Sequence, residues 1–298
     1  MTFAGALAWA GSQFLARLPL PWIAAVSGPL AALGWRLATS RRRVALTNLR
    51  LCFPEQTETE REVVARQHFR AYVQAALEHG FLWNASGERI RAYVALHDEH
   101  QWQRFRSPPA GESAKPVIWL CPHFIGLDAA AIRISVDTSG CSLYSRQSNP
   151  DLDRMLLAGR TRFGQSRIIA RNDGVKPIVR AMRDGLPFYY LPDMDFGLRD
   201  SVFVPFFGVN AATITGVSRL AKLTGAAVVP VIATQRPNGA GYDVRFYPAF
   251  DNFPSGDDVA DARRVNAFIE DRVRENTSQY LWTHKRFKTR PPGEASLY

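Results

Sequence analysis

Residues 117–136 read VIWLCPHFIGLDAAAIRISV, and the stretch changes character in the middle. Val117 to Cys121 is a short apolar run rich in residues that suit a strand buried on both faces. Leu127 to Val136 reads as a helix, and Gly126 between them permits a tight turn. A buried strand that turns at once into a helix is the first half of a βα unit, so the stretch decides for an α/β fold. In open α/β sheets, ligands bind at the carboxyl ends of the strands. His123 falls on that edge, with Asp128 five residues further on.

The pattern repeats along the body. Residues 141–146 (CSLYSR), 186–193 (LPFYYLPD), 226–236 (AAVVPVIATQR) and 242–250 (YDVRFYPAF) read as strands. Residues 57–80, 151–164, 175–185, 213–225 and 261–276 read as helices, the first capped by Thr57 or Thr59 and ended by Gly80. This alternation predicts a single α/β domain with a largely parallel or mixed central sheet flanked by helices. No linker divides residues 41–298, and no internal repeat or low-complexity tract is present.

The first 35 residues carry one charge, Arg17, and residues 18–35 carry none. That run is near the lower limit for a membrane-spanning helix. It is broken by Pro19, Pro21 and Pro29. Arg36 and the Arg41–Arg43 cluster follow it, the charge pattern expected on a cytoplasmic membrane face. Residues 1–40 are therefore expected to form a hydrophobic helical membrane segment. A secretory signal is not expected, because no basic residue precedes the apolar run.

The formal net charge is +10, which suggests an anionic partner: nucleic acid, a membrane surface, or an acidic or phosphorylated substrate. No nucleic-acid motif accompanies the charge. The three cysteines, Cys52, Cys121 and Cys141, form no zinc spacing and no disulfide framework, so no metal or cofactor is expected.

If the turn brings His123 and Asp128 together, the carboxylate can accept the Nδ1 proton and leave Nε2 to take a proton from a hydroxyl. An isolated H-x4-D spacing also arises by chance, with the aspartate merely at a helix start. Cys121 is a rival as nucleophile, although a cysteine in an apolar strand is usually just packed. Arg146, Arg160 and Arg171 are candidates for binding phosphate or carboxylate. Asp193 and Asp195 in PDMDFG suit an ordered loop paired with arginines. Lys285, Arg286, Lys288 and Arg290 suit an anionic headgroup or an acidic protein. His68, His79, His97 and His100 attract no role.

In chain order, RRVALTNLRLCFPE, HFIGLD, YSRQSNPDLDRMLLAGRTRFG, YYLPDMDFG, VFVPFFGVNAATITGVSRLAKLTGAAVVP and QYLWTHKRFKTRPPG closely resemble the late acyltransferases of lipid A biosynthesis, the lauroyl/myristoyl transferase family. The resemblance covers about Arg41 to Tyr298. It implies a glycerolipid-acyltransferase-like fold at the cytoplasmic face of the bacterial inner membrane. It implies transfer of a fatty acyl chain from acyl carrier protein to a hydroxyl of the lipid A precursor, with no acyl-enzyme. His123 and Asp128 fall on that family's H-x4-D/E motif, as catalytic base and its partner, and many members carry Glu where Asp128 stands. Arg146, Arg160, Arg171 and Arg286 are then the candidate substrate-binding residues. The rivals are an acyltransferase of another polar lipid, a thioester hydrolase, and a basic nucleic-acid-binding protein without activity.

Overall fold

From residue 94 to residue 190, strands and helices alternate as the apolar patterning requires. The structure, a computed structural model, describes residues 2–298. The chain opens with α1 (Phe3–Leu15), α2 (Leu20–Leu37), α3 (Thr39–Cys52), α4 (Glu58–Asn84) and α5 (Gly87–Tyr93). Then come β1 (Val94–His97), α6 (His100–Arg106), β2 (Val117–Leu120), α7 (Leu127–Asp137), β3 (Cys141–Tyr144), α8 (Pro150–Thr161), β4 (Arg167–Ala170), α9 (Lys176–Arg183) and β5 (Phe188–Tyr190). The hairpin β6 (Ser201–Phe206) and β7 (Val209–Ile214), α10 (Gly216–Thr224), β8 (Ala227–Gln235), β9 (Tyr242–Phe246) and α11 (Asp258–Glu275) complete it.

Seven strands form one sheet in the order β1-β9-β8-β2-β5-β3-β4. The five strands from β8 to β4 are mutually parallel, and only the β8–β9 pairing is antiparallel. β2 is the central strand and is buried on both faces. Ile118 and Leu120 point into one apolar layer with Phe188, Tyr190 and Ile232. Val117, Trp119 and Cys121 point into the other with Tyr189, Val231 and Ala233. The period-two alternation of a strand supplies both layers from one short run.

Of the two expected caps, Thr57 begins α4, in a capping box: Thr57 Oγ1 accepts from the Glu60 N–H at 3.3 Å, and the Thr57 N–H donates to Glu60 Oε2 at 2.7 Å. Gly80 does not end this helix, which runs on to Asn84. A Cβ at Gly80 would lie 2.6 Å from Leu15 Cβ and 2.9 Å from the Ser12 carbonyl oxygen. The glycine is there to let α1 approach α4. The β6–β7 hairpin was not expected; its turn is Phe207 and Gly208, both at positive φ, as a two-residue hairpin turn demands.

The expected N-terminal membrane segment is corrected by the structure. Among the described residues no helix is long and apolar enough to cross a membrane. The apolar run is instead split at residues 16–19 into two helices that pack on the body of the protein. Asn84 Nδ2 donates to Ser12 Oγ at 3.0 Å, and Trp35 of α2 meets Phe69 of α4 edge-on at 5.2 Å. Ile23, Ala24, Ala31 and Trp35 are buried. Pro19 stands at the division and Pro21 in the first turn of α2, whereas Pro29 lies inside that helix without ending it.

His68 on α4 is fully buried, its Nδ1 3.2 Å from the Ser278 carbonyl and its Nε2 without a partner among the described residues. Burial pushes its pKa from 6.5 down to about 4. The folded protein thus refuses a proton that the unfolded chain accepts. Stability is full above about pH 6.5 and declines as pH falls toward 4, by about 3 kcal/mol from this group. Thermal unfolding followed from pH 7 to pH 4 should show a shallower acid decline in His68→Asn than in wild type; parallel curves would remove His68 from the acid response.

Candidate functional site

β2 ends at Leu120, and Cys121 still pairs with the sheet through its N–H to the Tyr190 carbonyl at 2.8 Å. Pro122 then breaks the ladder and delivers His123 to the carboxyl edge. Gly126 makes the following turn possible, because a Cβ there would collide with Ala233 and Tyr242 at 2.9 Å. The turn is held from outside as well. Ile125 N–H donates to Gln279 O at 2.8 Å, Leu281 N–H donates to His123 O at 2.9 Å, and Phe124 forms an isolated bridge with Tyr280. Gln279 is fixed in turn by Gln235, with bonds of 2.6 and 2.9 Å in the two directions.

The partner of His123 is Asp193, not Asp128. Asp193 follows the neighbouring strand β5 and arrives at the same sheet edge. Its Oδ1 lies 2.7 Å from His123 Nδ1, and its Oδ2 accepts the His123 backbone N–H at 2.9 Å. One carboxylate therefore fixes both the ring and the backbone of the same residue. The Asp193 side chain is 1% exposed and that of His123 16%. Burial alone would raise the Asp193 carboxyl. The charge of His123, the two bonds it offers and Arg286 outweigh burial and hold the carboxyl below its usual range. An ionised Asp193 fixes the proton on Nδ1, and Nε2 has no hydrogen-bond partner among the described residues.

Asp128 begins α7 and turns toward α4 and α8. It accepts from Arg160 Nε at 2.9 Å and lies 3.1 Å from His79 Nε2. Burial again opposes the charge on Asp128, but Arg160 and His79 overcome it and hold the carboxyl well below its ordinary value. His79 is raised in return, Asp128 prevailing over burial. Its Nδ1 bonds the Ala75 carbonyl at 2.8 Å. The motif thus contributes its two side chains to two different clusters: His123 with Asp193, and Asp128 with Arg160 and His79. Helical geometry already argues against a shared face for positions five apart.

The other candidates divide. Arg146 follows β3, is exposed and has no ion-pair partner among the described residues. Arg171 follows β4 on the same edge and stacks over Phe196 at 3.8 Å. Arg286, expected to face a headgroup or an acidic protein, is 2% exposed. It donates to the Ala212 carbonyl at 2.8 Å and Thr213 Oγ1 at 2.9 Å, and so ties the C-terminal segment to the hairpin. Asp195 orders its loop as expected, accepting from the Gly197 N–H at 3.0 Å and the Thr289 N–H at 2.7 Å. Cys121 is 1% exposed, and burial pushes its thiol well above the ordinary value, which argues against a nucleophilic role. His284 lies nearby with Nε2 accepting the Asp195 N–H at 3.1 Å; burial brings its pKa down to about 4, so it stays neutral at pH 7.

Sequence reasoning missed Asp193 as the ring partner and His79 altogether. A signal existed for Asp193: like His123, it directly follows an apolar strand. None existed for His79, whose contact depends on how α4 packs.

The sequence profile of the family described as "Bacterial lipid A biosynthesis acyltransferase" matches residues 1–289. The chain is 32% identical over 296 residues to the lipid A biosynthesis lauroyltransferase of Escherichia coli K12, covering 98% of this chain and 94% of that protein. It is 35% identical over 295 residues to the myristoyltransferase of the same organism, covering 98% and 90%. A lipid A biosynthesis acyltransferase of Haemophilus influenzae is 31% identical over 287 residues, covering 94% and 89%.

Proposed function

Because the chain belongs to the bacterial lipid A biosynthesis acyltransferases, and is thus an acyltransferase, we propose that it moves a fatty acyl chain from acyl carrier protein to a hydroxyl of a lipid A precursor, with His123 as general base. The proposal rests on one piece of geometry: an imidazole at the carboxyl edge of the sheet, its Nδ1 held by a buried carboxylate and its Nε2 free. The acceptor oxygen attacks the thioester carbonyl carbon while Nε2 takes the hydroxyl proton. The C–O bond forms, the C–S bond breaks, and the proton passes from Nε2 to the leaving thiolate. Asp193 stabilises the imidazolium that forms between the two transfers. No acyl-enzyme is needed, and the burial of Cys121 fits a direct transfer.

Asp128 holds Arg160 and His79 in place at the start of α7, and the amino end of that helix is suited to the developing oxyanion. Arg146 and Arg171, at the same edge, suit the phosphates and acidic sugars of the acceptor. Lys285 and Lys288, with Arg41 to Arg43, supply charge complementary to an acidic carrier protein. We place the enzyme at the cytoplasmic face of the inner membrane. Exposed Trp22, Leu30, Leu33 and Leu37 on α2, next to that arginine cluster, support a position at the lipid surface.

Mass spectrometry of lipid A from cells with and without the gene tests the reaction. A deficit of one acyl chain, restored by the gene, is expected. An unchanged spectrum in cells lacking any sister enzyme would move the acceptor to another polar lipid. Release of free fatty acid without acceptor would make the protein a hydrolase.

A further inference from the structure

We propose that Glu78 is a positioning residue for the reaction: through Gln235 and Gln279 it sets the aim of His123, a residue it does not touch. The proposal rests on the acyltransferase reading above. Glu78 lies on α4 and is fully buried. Among the described residues it forms no ion pair. Arg236, next to Gln235 in the chain, donates instead to the Tyr93 carbonyl at 2.9 Å and faces Asp243 at 3.9 Å. A buried carboxylate without a cation is costly unless hydrogen bonds replace its water. Four donors do so here. Oε1 accepts from Gln74 Nε2 at 2.8 Å and from the Tyr93 hydroxyl at 2.7 Å. Oε2 accepts from the Tyr242 hydroxyl and, at 3.4 Å, from Gln235 Nε2. Burial, and after it the charge of Glu78, raises the pKa of both tyrosines, so their hydroxyls remain donors. Well-packed apolar residues often stabilise a core as well as such a cluster does. What the cluster adds is a fixed geometry among α4, the end of α5, β8 and β9.

Two routes carry that geometry to the base. In the first, the Gln235 backbone N–H and carbonyl hold the Gln279 side-chain amide at 2.6 and 2.9 Å. The Gln279 carbonyl accepts the Ile125 N–H, and two residues on, the Leu281 N–H holds the His123 carbonyl. The loop is thus gripped by backbone bonds on both sides of Phe124, and a displaced Gln279 displaces His123 with it. In the second route Tyr242, whose hydroxyl Glu78 holds, sets its ring against the Gly126 backbone, where a Cβ would lie 2.9 Å away. The next residue of α4, His79, meets Asp128 at the other end of the turn. Asp193 fixes the tautomer of the imidazole, and the Glu78 cluster fixes where the imidazole stands. A reacting hydroxyl must lie within hydrogen-bond reach of Nε2, and a misplacement of about 1 Å costs about a hundredfold in rate.

Glu78→Gln keeps the size of the side chain but turns one acceptor oxygen into an N–H donor facing other donors. Gln279→Met keeps the length of its side chain and loses both bonds to Gln235. Purified wild type, both single variants and the double variant would be given lipid A precursor and the acyl-carrier thioester that wild type uses best. Thermal melts would give the folded fraction. Each single variant is expected to lose about tenfold to a hundredfold in kcat per folded molecule, with KM little changed. The double variant is expected to fall no further than the more impaired single one, because both changes break the same chain of contacts. A purely structural role would lower the melting temperature and leave kcat of the folded protein at the wild-type value, and that result would overturn the proposal. So would losses that multiply in the double variant. Should Glu78→Gln fail to fold, Gln279→Met, on a half-buried segment, decides alone, and a wild-type kcat there would overturn the proposal. Absence of transfer by wild type with every donor would instead overturn the acyltransferase reading, and this proposal with it.

Discussion

Replacing His123 by glutamine is expected to reduce acyl transfer by roughly a hundredfold to ten-thousandfold, the range a positioned general base contributes. Glutamine is preferred to alanine as the informative change. The Asp193 side chain is 1% exposed, and alanine would leave its carboxylate buried without the ring N–H it now accepts. Glutamine can offer an amide N–H in its place but cannot accept and pass on a proton. Steady-state kinetics on purified protein, beside a thermal melt, separate the two effects. The expected pattern is a large fall in kcat with KM and melting temperature little changed. Near-normal kcat in a folded His123→Gln protein would remove His123 from the chemistry.

The second large effect is expected at Asp193. Asp193→Asn keeps the size of the side chain but removes the charge that fixes the His123 tautomer and stabilises the imidazolium. In the serine-protease triad the corresponding change costs about ten-thousandfold in kcat. A loss of roughly a hundredfold to ten-thousandfold in kcat is expected here, with KM nearly unchanged. Asp128→Asn is the control that gives this meaning. Asp128 bonds Arg160 and His79, so its loss should loosen the packing of α8 and α4 on α7, lower the melting temperature and raise KM more than it lowers kcat. The reverse ranking, with Asp128→Asn crippling turnover in a stable protein and Asp193→Asn mild, would return the dyad to the two residues of the H-x4-D motif.

That contrast also shows how far the sequence could be read. The strand 117–120, the turn at Gly126 and the helix after it are local events, dictated by apolar patterning and by one residue without a Cβ, and all three were legible. So was the placement of His123 on a strand's carboxyl edge. The partner of His123 was not, because it depends on which strand lies beside β2. β5 does, and β5 follows β2 only after two intervening strands. Parallel sheets routinely bring such distant segments side by side, and no periodicity records the order. The N-terminal apolar run misled for a related reason. Composition shows that a segment is apolar, but not whether its apolar face meets lipid or another helix. Arg286 misled in the opposite direction: its charge suggested a surface, while its bonds to Ala212, Thr213 and Asn266 place it inside. A basic cluster in sequence, as around residues 285–290, need not be a basic patch in space.

The bridge between Phe124 and Tyr280 has a temporal meaning. The loop carrying the base is emitted by the ribosome well before the strap that braces it, Gln279 to Leu281. The nascent protein can therefore assemble much of its sheet while the loop that carries His123 is still unbraced, and the final arrangement of the site waits for a closure between distant segments.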